Sequence, residues 1–194
     1  MKKITLLGDS IRRIGYGTKV PELLAPDFTV FQPDDNCRFS SYTLRGLHDW
    51  ADGIRGSVAV HWNNGLWDEC DLFGDGAMTP IDTYVQTMVR IATLLKQRAP
   101  VVIFATTTPV RPDQTYHTNE GIRAFNDALV PELIKRGVII NDLHSAVARN
   151  VDRYIRADDK IHLTEDGIAL TAAQVADCIR RNTVGIEPFA DAVK

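Results

Sequence analysis

Cysteine is scarce in this 194-residue chain: Cys37, Cys70 and Cys178 are odd in number and far apart. That spacing offers neither a disulfide framework nor a zinc knuckle. No group of His, Cys and acidic residues has the separations of a structural or catalytic metal site, so no metal and no cofactor is expected. Long apolar runs are missing as well, which excludes a membrane span. Met1-Lys2-Lys3 opens like a leader peptide, but the apolar stretch behind it, Ile4-Thr5-Leu6-Leu7, is too short for one. As written the chain reads as cytoplasmic; a secreted protein whose leader had been removed would read the same. Charge of one sign is not in excess: a net charge of -3 gives no reason to expect nucleic acid or an anionic membrane as partner. Internal repeats, low-complexity tracts and interdomain linkers are also lacking. The loop after the first apolar run, "GDSIRRIGYG", has neither the Walker pattern nor G-x-G-x-x-G, which argues against a nucleotide-binding domain.

What is present is an ordinary globular composition, 44% apolar and 24% charged. The length suits one domain with a good core. We read residues 1–182 as that domain and 183–194 as a tail on its surface. Residues 3–7, 28–31, 57–60, 101–105 and 138–140 are short and rich in β-branched side chains. They are apolar at consecutive positions, as strands covered on both faces are. Between them, 41–50, 80–98, 119–136 and 164–181 carry apolar stripes of helical period, with Thr164 placed to cap the last. Strands alternating with helices of this length predict a three-layer α/β/α sandwich, doubly wound on a mainly parallel five-stranded sheet.

Ligands of such folds bind beyond the carboxyl ends of the strands. Four polar clusters should lie there together: "GDS" at 8–10, "QPDDNCRFSS" at 32–41, "HWNNGLWD" at 61–68 and "TTTPVRPD" at 106–113. A fifth, "DDKIHLTEDG" at 158–167, precedes the last helix. Their chemistry is complementary. A serine such as Ser10 becomes a nucleophile only when a histidine takes its proton, and the histidine needs a carboxylate on its other nitrogen. Asp159 and His162, three apart, suit a tight loop in which the acid reaches the ring. A developing oxyanion needs fixed donors, which backbone N–H groups and an amide such as Asn63 supply. Each residue also has a plainer reading. Gly8-Asp9-Ser10 and Asn63-Asn64-Gly65 are good turn formers, and Trp62 and Trp67 are equally suited to packing. Thr106–Thr108 fit either a cleft wall or a strand end.

In this order, Gly8-Asp9-Ser10, the asparagine loop after the third strand and Asp159-x-x-His162 before the last helix resemble the SGNH, or GDSL-type, esterases and lipases. The resemblance runs from about residue 4 to 180 and implies a flavodoxin-like fold. It implies Ser10 as nucleophile, His162 as base and Asp159 as its orienting acid. It also implies an oxyanion hole of the Ser10 N–H, a second-motif N–H and the Asn63 side chain. Counting back from Arg45-Gly46-Leu47 puts Ser40 where the second motif has glycine; Ile11 and Asn64 replace the usual leucine and aspartate. "FSSYTLRGL", "HWNNGLWD" and "FATTTPVRPD" look like bacterial relatives that deacetylate carbohydrates. The implied partner is a small-molecule ester. The implied function is removal of a small acyl group from a sugar-like alcohol, with Asn64, Trp62 and Trp67 as substrate contacts. The alternatives are a lysophospholipase or thioesterase of the same family, and a catalytically silent α/β binding module.

Overall fold

Strands that are apolar at every position need cover on both faces, and the fold supplies it. The computed structural model describes residues 1–190. Strands β1 (Lys2–Leu7), β2 (Phe28–Phe31), β3 (Ser57–Trp62), β4 (Val101–Ala105) and β5 (Ile139–Asn141) form one parallel sheet in the order β2-β1-β3-β4-β5. The helices are α1 (Val20–Leu24), α2 (Ser40–Asp49), α3 (Ala51–Ile54), α4 (Leu66–Glu69) and α5 (Ile81–Lys96), followed by α6 (Asn119–Ile134), α7 (Leu143–Ala148), α8 (Val151–Tyr154) and α9 (Glu165–Asn182). Ile4 and Leu6 of β1 and Ile103 and Ala105 of β4 point to a layer containing α1, α7 and α9. Leu7, Val60, Trp62, Val102 and Phe104 point to the opposite layer of α2, α3, α5 and α6. Alternation along each strand therefore feeds two apolar cores rather than one core and solvent.

The expected three-layer sandwich and its five strands are present. β2 departs from the expectation of burial on both faces: it is the sheet's edge and only half-buried, with Thr29 exposed. β3 runs two residues further than read, through His61 and Trp62, and this extension decides where those side chains go. α9 begins as expected, with Thr164 Oγ1 accepting from the Gly167 N–H at 3.1 Å. The short helices α1, α3, α4, α7 and α8 are too brief to show a helical period in the sequence. At the C-terminus Thr183 is buried, its carbonyl accepting from Lys2 Nζ, and Ile186 packs on the core. Residues 191–194 of the expected tail lie outside the described residues. Among the described residues no helix is long and apolar enough to cross a membrane.

Candidate active site

The first element of the site is the turn that ends β1. Gly8 is required there because a Cβ would lie 2.0 Å from Asn63 Oδ1. Asp9 builds the turn: its Oδ1 accepts the Ile11 N–H at 2.9 Å, and its carbonyl accepts those of Arg12 and Arg13. The chain coils at once into a wide helical turn over Ile11–Gly15, leaving Ser10 on top of the sheet. Beneath it the buried Arg12 guanidinium donates to the carbonyls of Gly8 (3.1 Å), Pro33 (2.9 Å) and Asp35. A guanidinium's rigid fork suits such a task; Arg12 ties the 32–38 loop to the Ser10 turn.

The second element comes from the far end of the chain. The loop before α9 closes as a small hairpin, with a bridge between Ile155 and Leu163 and the Arg156 N–H on the His162 carbonyl. His162 Nε2 lies 2.8 Å from Ser10 Oγ and its Nδ1 lies 3.0 Å from Asp159 Oδ2. Asp159 Oδ1 accepts two backbone N–H groups, from Ile161 at 3.0 Å and His162 at 2.9 Å. Burial works to raise the Asp159 carboxyl, but those donors and the imidazole outweigh it and hold it below its ordinary range. An ionised Asp159 takes the proton on Nδ1, so Nε2 presents its lone pair to the serine hydroxyl. Carboxylate, imidazole and hydroxyl thus stand in a row that can pass a proton from Ser10 to His162.

Asn63 follows β3 and is nearly buried. One of its amide N–H groups donates to Asp9 Oδ1 at 2.8 Å and its Oδ1 accepts from the Tyr16 hydroxyl at 2.7 Å. A primary amide has a second N–H, which this leaves to donate elsewhere. Asp9 itself is fully buried; burial raises its carboxyl, opposed by the Asn63 amide, the Ile11 N–H and the charges of Arg12 and His162.

Three expected contacts are corrected. The Ser40 N–H donates to Asp68 Oδ2 at 2.8 Å and its hydroxyl to Asp68 Oδ1 at 2.7 Å, so this amide is occupied and turned away from an oxyanion. Trp62 is fully buried against Phe104, because β3 continues through it and alternation directs it into the α5–α6 core. Asn64 is fully buried as well. Its Nδ2 donates to the carbonyl of Arg38, a residue held at φ 45°, and its own carbonyl accepts from Tyr84 and Thr107 hydroxyls. It is therefore a structural clamp. Gly65 beside it admits no Cβ, which would meet Thr107 Oγ1 at 2.0 Å.

Trp67 does face the site. It is 36% exposed, packs edge-on against Phe39, and helps line a cavity of about 540 Å³ that opens at Ser10 and His162. A second cavity of about 410 Å³, bounded by Ile14, Arg156 and Glu165, meets the same pair from another side. Sequence reasoning passed over His117, which lines the larger cavity with its Nδ1 2.9 Å from the buried Glu69. Its partner Glu69 stands 48 residues away in the sequence, which hid that contact. Thr106 and Thr107 follow β4 and are tied into the fold: Thr106 Oγ1 donates to Asp142 and Thr107 Oγ1 to the Asn64 carbonyl. Arg111 is spent on Asp152 and the Ile155 carbonyl.

His61, on β3 under the site, is fully buried, and burial lowers its pKa to about 3. In the unfolded chain its pKa is the ordinary 6.5. Between those values the unfolded state binds a proton that the folded state refuses. Stability therefore falls on acidification, by up to about 1.4 kcal/mol per pH unit, and the His61 contribution is constant above pH 6.5. The ring ¹⁵N shifts of His61 are expected to keep the neutral pattern at about pH 5. A protonated pattern in the folded protein at that pH would contradict this.

No protein-family model and no curated protein matches the chain. Solved structures do match along nearly its whole length. A lipase/acylhydrolase from Enterococcus faecalis aligns at TM-score 0.76 and 18% identity, covering 98% of this chain and 100% of that one. A member of the lipolytic protein G-D-S-L family from Veillonella parvula aligns at TM-score 0.75 and 18% identity, covering 93% and 100%. An acetylxylan esterase from Geobacillus stearothermophilus aligns at TM-score 0.72 and 16% identity, covering 91% of this chain and 93% of that one. The fold is the one these proteins share.

Proposed function

We propose that this chain is a serine esterase that hydrolyses carboxylic esters through an acyl-enzyme on Ser10. The observation that carries the reading is the unbroken row from Asp159 through His162 to Ser10, with bonds of 3.0 and 2.8 Å. His162 Nε2 takes the Ser10 proton as Oγ bonds to the carbonyl carbon. The same nitrogen then gives that proton to the leaving alcohol oxygen as the ester C–O bond breaks. Water, deprotonated by His162, attacks the acyl-enzyme, and Ser10 recovers its proton as the carboxylic acid leaves.

The tetrahedral oxyanion would be held by the Ser10 N–H and the free N–H of Asn63. Asn63→Ala is expected to lower kcat by roughly 10²–10³-fold with little change in KM. An unchanged kcat would remove Asn63 from the hole.

Small acyl groups, acetyl first, on carbohydrate-like alcohols are the substrates we favour. The exposed Trp67 beside Ser10 offers a ring face to a sugar, and one protein of this fold is named an acetylxylan esterase. A lipid acyl ester or thioester is the second reading, favoured by Leu66, Leu72 and Ile161 in the larger cavity. Hydrolysis of p-nitrophenyl acetate, butyrate and octanoate separates the two. Rates falling with chain length support small acyl groups; a preference for octanoate supports the lipid reading. No Ser10-dependent turnover of any of them would leave a silent binding module.

A further inference from the structure

The oxyanion role of Asn63 depends on which way its amide points, and a buried polar chain beneath the site specifies that direction. Gln174 Nε2 of α9 donates to Asn141 Oδ1 at 2.8 Å. Asn141 Nδ2, at the end of β5, lies 3.1 Å from His61 Nε2. His61 Nδ1 lies 3.5 Å from the Tyr16 hydroxyl, which is 2.7 Å from Asn63 Oδ1. Asn63 Nδ2 closes the chain on Asp9 Oδ1 at 2.8 Å.

The hydrogens can be assigned in one direction along it. With Asn141 Oδ1 accepting, its Nδ2 must donate, so His61 Nε2 carries the lone pair and Nδ1 the proton. Nδ1–H then points at the Tyr16 oxygen, and the tyrosine proton is free to go to Asn63 Oδ1. A 180° flip of the Asn63 amide would set its NH₂ against a hydroxyl already aimed at it and its oxygen against the Asp9 carboxylate. A protonated His61 would break the sequence, since Nε2 could no longer accept; its complete burial keeps it neutral. Chains of this kind polarise each member in the same direction.

Resting on the reading of Asn63 as an oxyanion donor, we propose that Tyr16, His61 and Asn141 are positioning residues: they lock the Asn63 amide with its N–H groups toward Ser10. None of the three is placed against the substrate. Their effect reaches the reaction only through Asn63.

Tyr16→Phe deletes one oxygen and keeps the ring packed, so it is the first variant to make. Its kcat on p-nitrophenyl acetate is expected to fall by about 10-fold, short of the roughly 10²–10³-fold expected for losing the donor itself, with KM within about twofold of wild type. In the Asn63→Ala background the same change is expected to cost nothing further, because two residues acting through one donor are not additive. His61→Gln, which can still accept from Asn141 and donate to Tyr16, is expected to retain most of the activity that His61→Leu loses. A kcat unchanged in Tyr16→Phe, a loss fully additive with Asn63→Ala, or equal losses in His61→Gln and His61→Leu would each overturn the proposal. If Asn63→Ala itself leaves kcat intact, the oxyanion assignment has failed instead, and that single variant, measured alongside, identifies the case.

Discussion

Ser10→Ala is expected to reduce kcat for p-nitrophenyl acetate by on the order of 10⁶-fold, since the covalent route is lost with the hydroxyl and only binding and the oxyanion donors remain. The fold should persist. Ser10 Oγ makes one side-chain hydrogen bond, to His162, while the turn is built by Asp9, Arg12 and the backbone. A thermal midpoint close to wild type, measured with the rate, separates lost chemistry from lost structure. Retention of most activity would remove Ser10 from the reaction.

Asp159→Asn is the next largest expected loss, about 10⁴-fold in kcat. Every hydrogen bond at this carboxylate is one it accepts: two backbone N–H groups on Oδ1 and the imidazole Nδ1–H on Oδ2. An amide has a single oxygen. With that oxygen kept on the backbone donors, its NH₂ faces His162 Nδ1 and forces the ring proton onto Nε2, where it blocks acceptance from Ser10. The flipped amide keeps the tautomer but sets NH₂ against two N–H groups. Either way the base is lost or the loop is strained. Kinetic measurement together with the His162 ring ¹⁵N pattern tests this; near-wild-type kcat with Nδ1 still protonated would contradict it.

The elements that could be read from the sequence are those whose signal is local. Long helices such as α5 and α9 show a full apolar stripe, and the strands show their two-faced burial in runs of β-branched residues. The meeting of Ser10 with Asp159 and His162 was legible in residue types and order: Ser10 just beyond β1, Asp159-x-x-His162 just before α9. What failed had two causes, a strand boundary misplaced by two residues and partners distant in the chain. The boundary of β3 falls after Trp62 rather than Val60, and with period-two alternation that buries Trp62 and carries Asn64 inward. Ser40 looked available because its partner, Asp68, is 28 residues away. The contacts of Arg12, Tyr16 and His61 are likewise made across the fold, between residues that nothing in the sequence links.

The most direct test of Ser10 as an activated nucleophile is labelling with a fluorophosphonate, which bonds covalently to an activated serine and not to an ordinary one. Peptide mass spectrometry should find one equivalent on Ser10, formed in step with the loss of esterase activity and absent from His162→Ala. A wild-type protein that stays unlabelled, or carries its label on another residue, would contradict a Ser10–His162–Asp159 esterase.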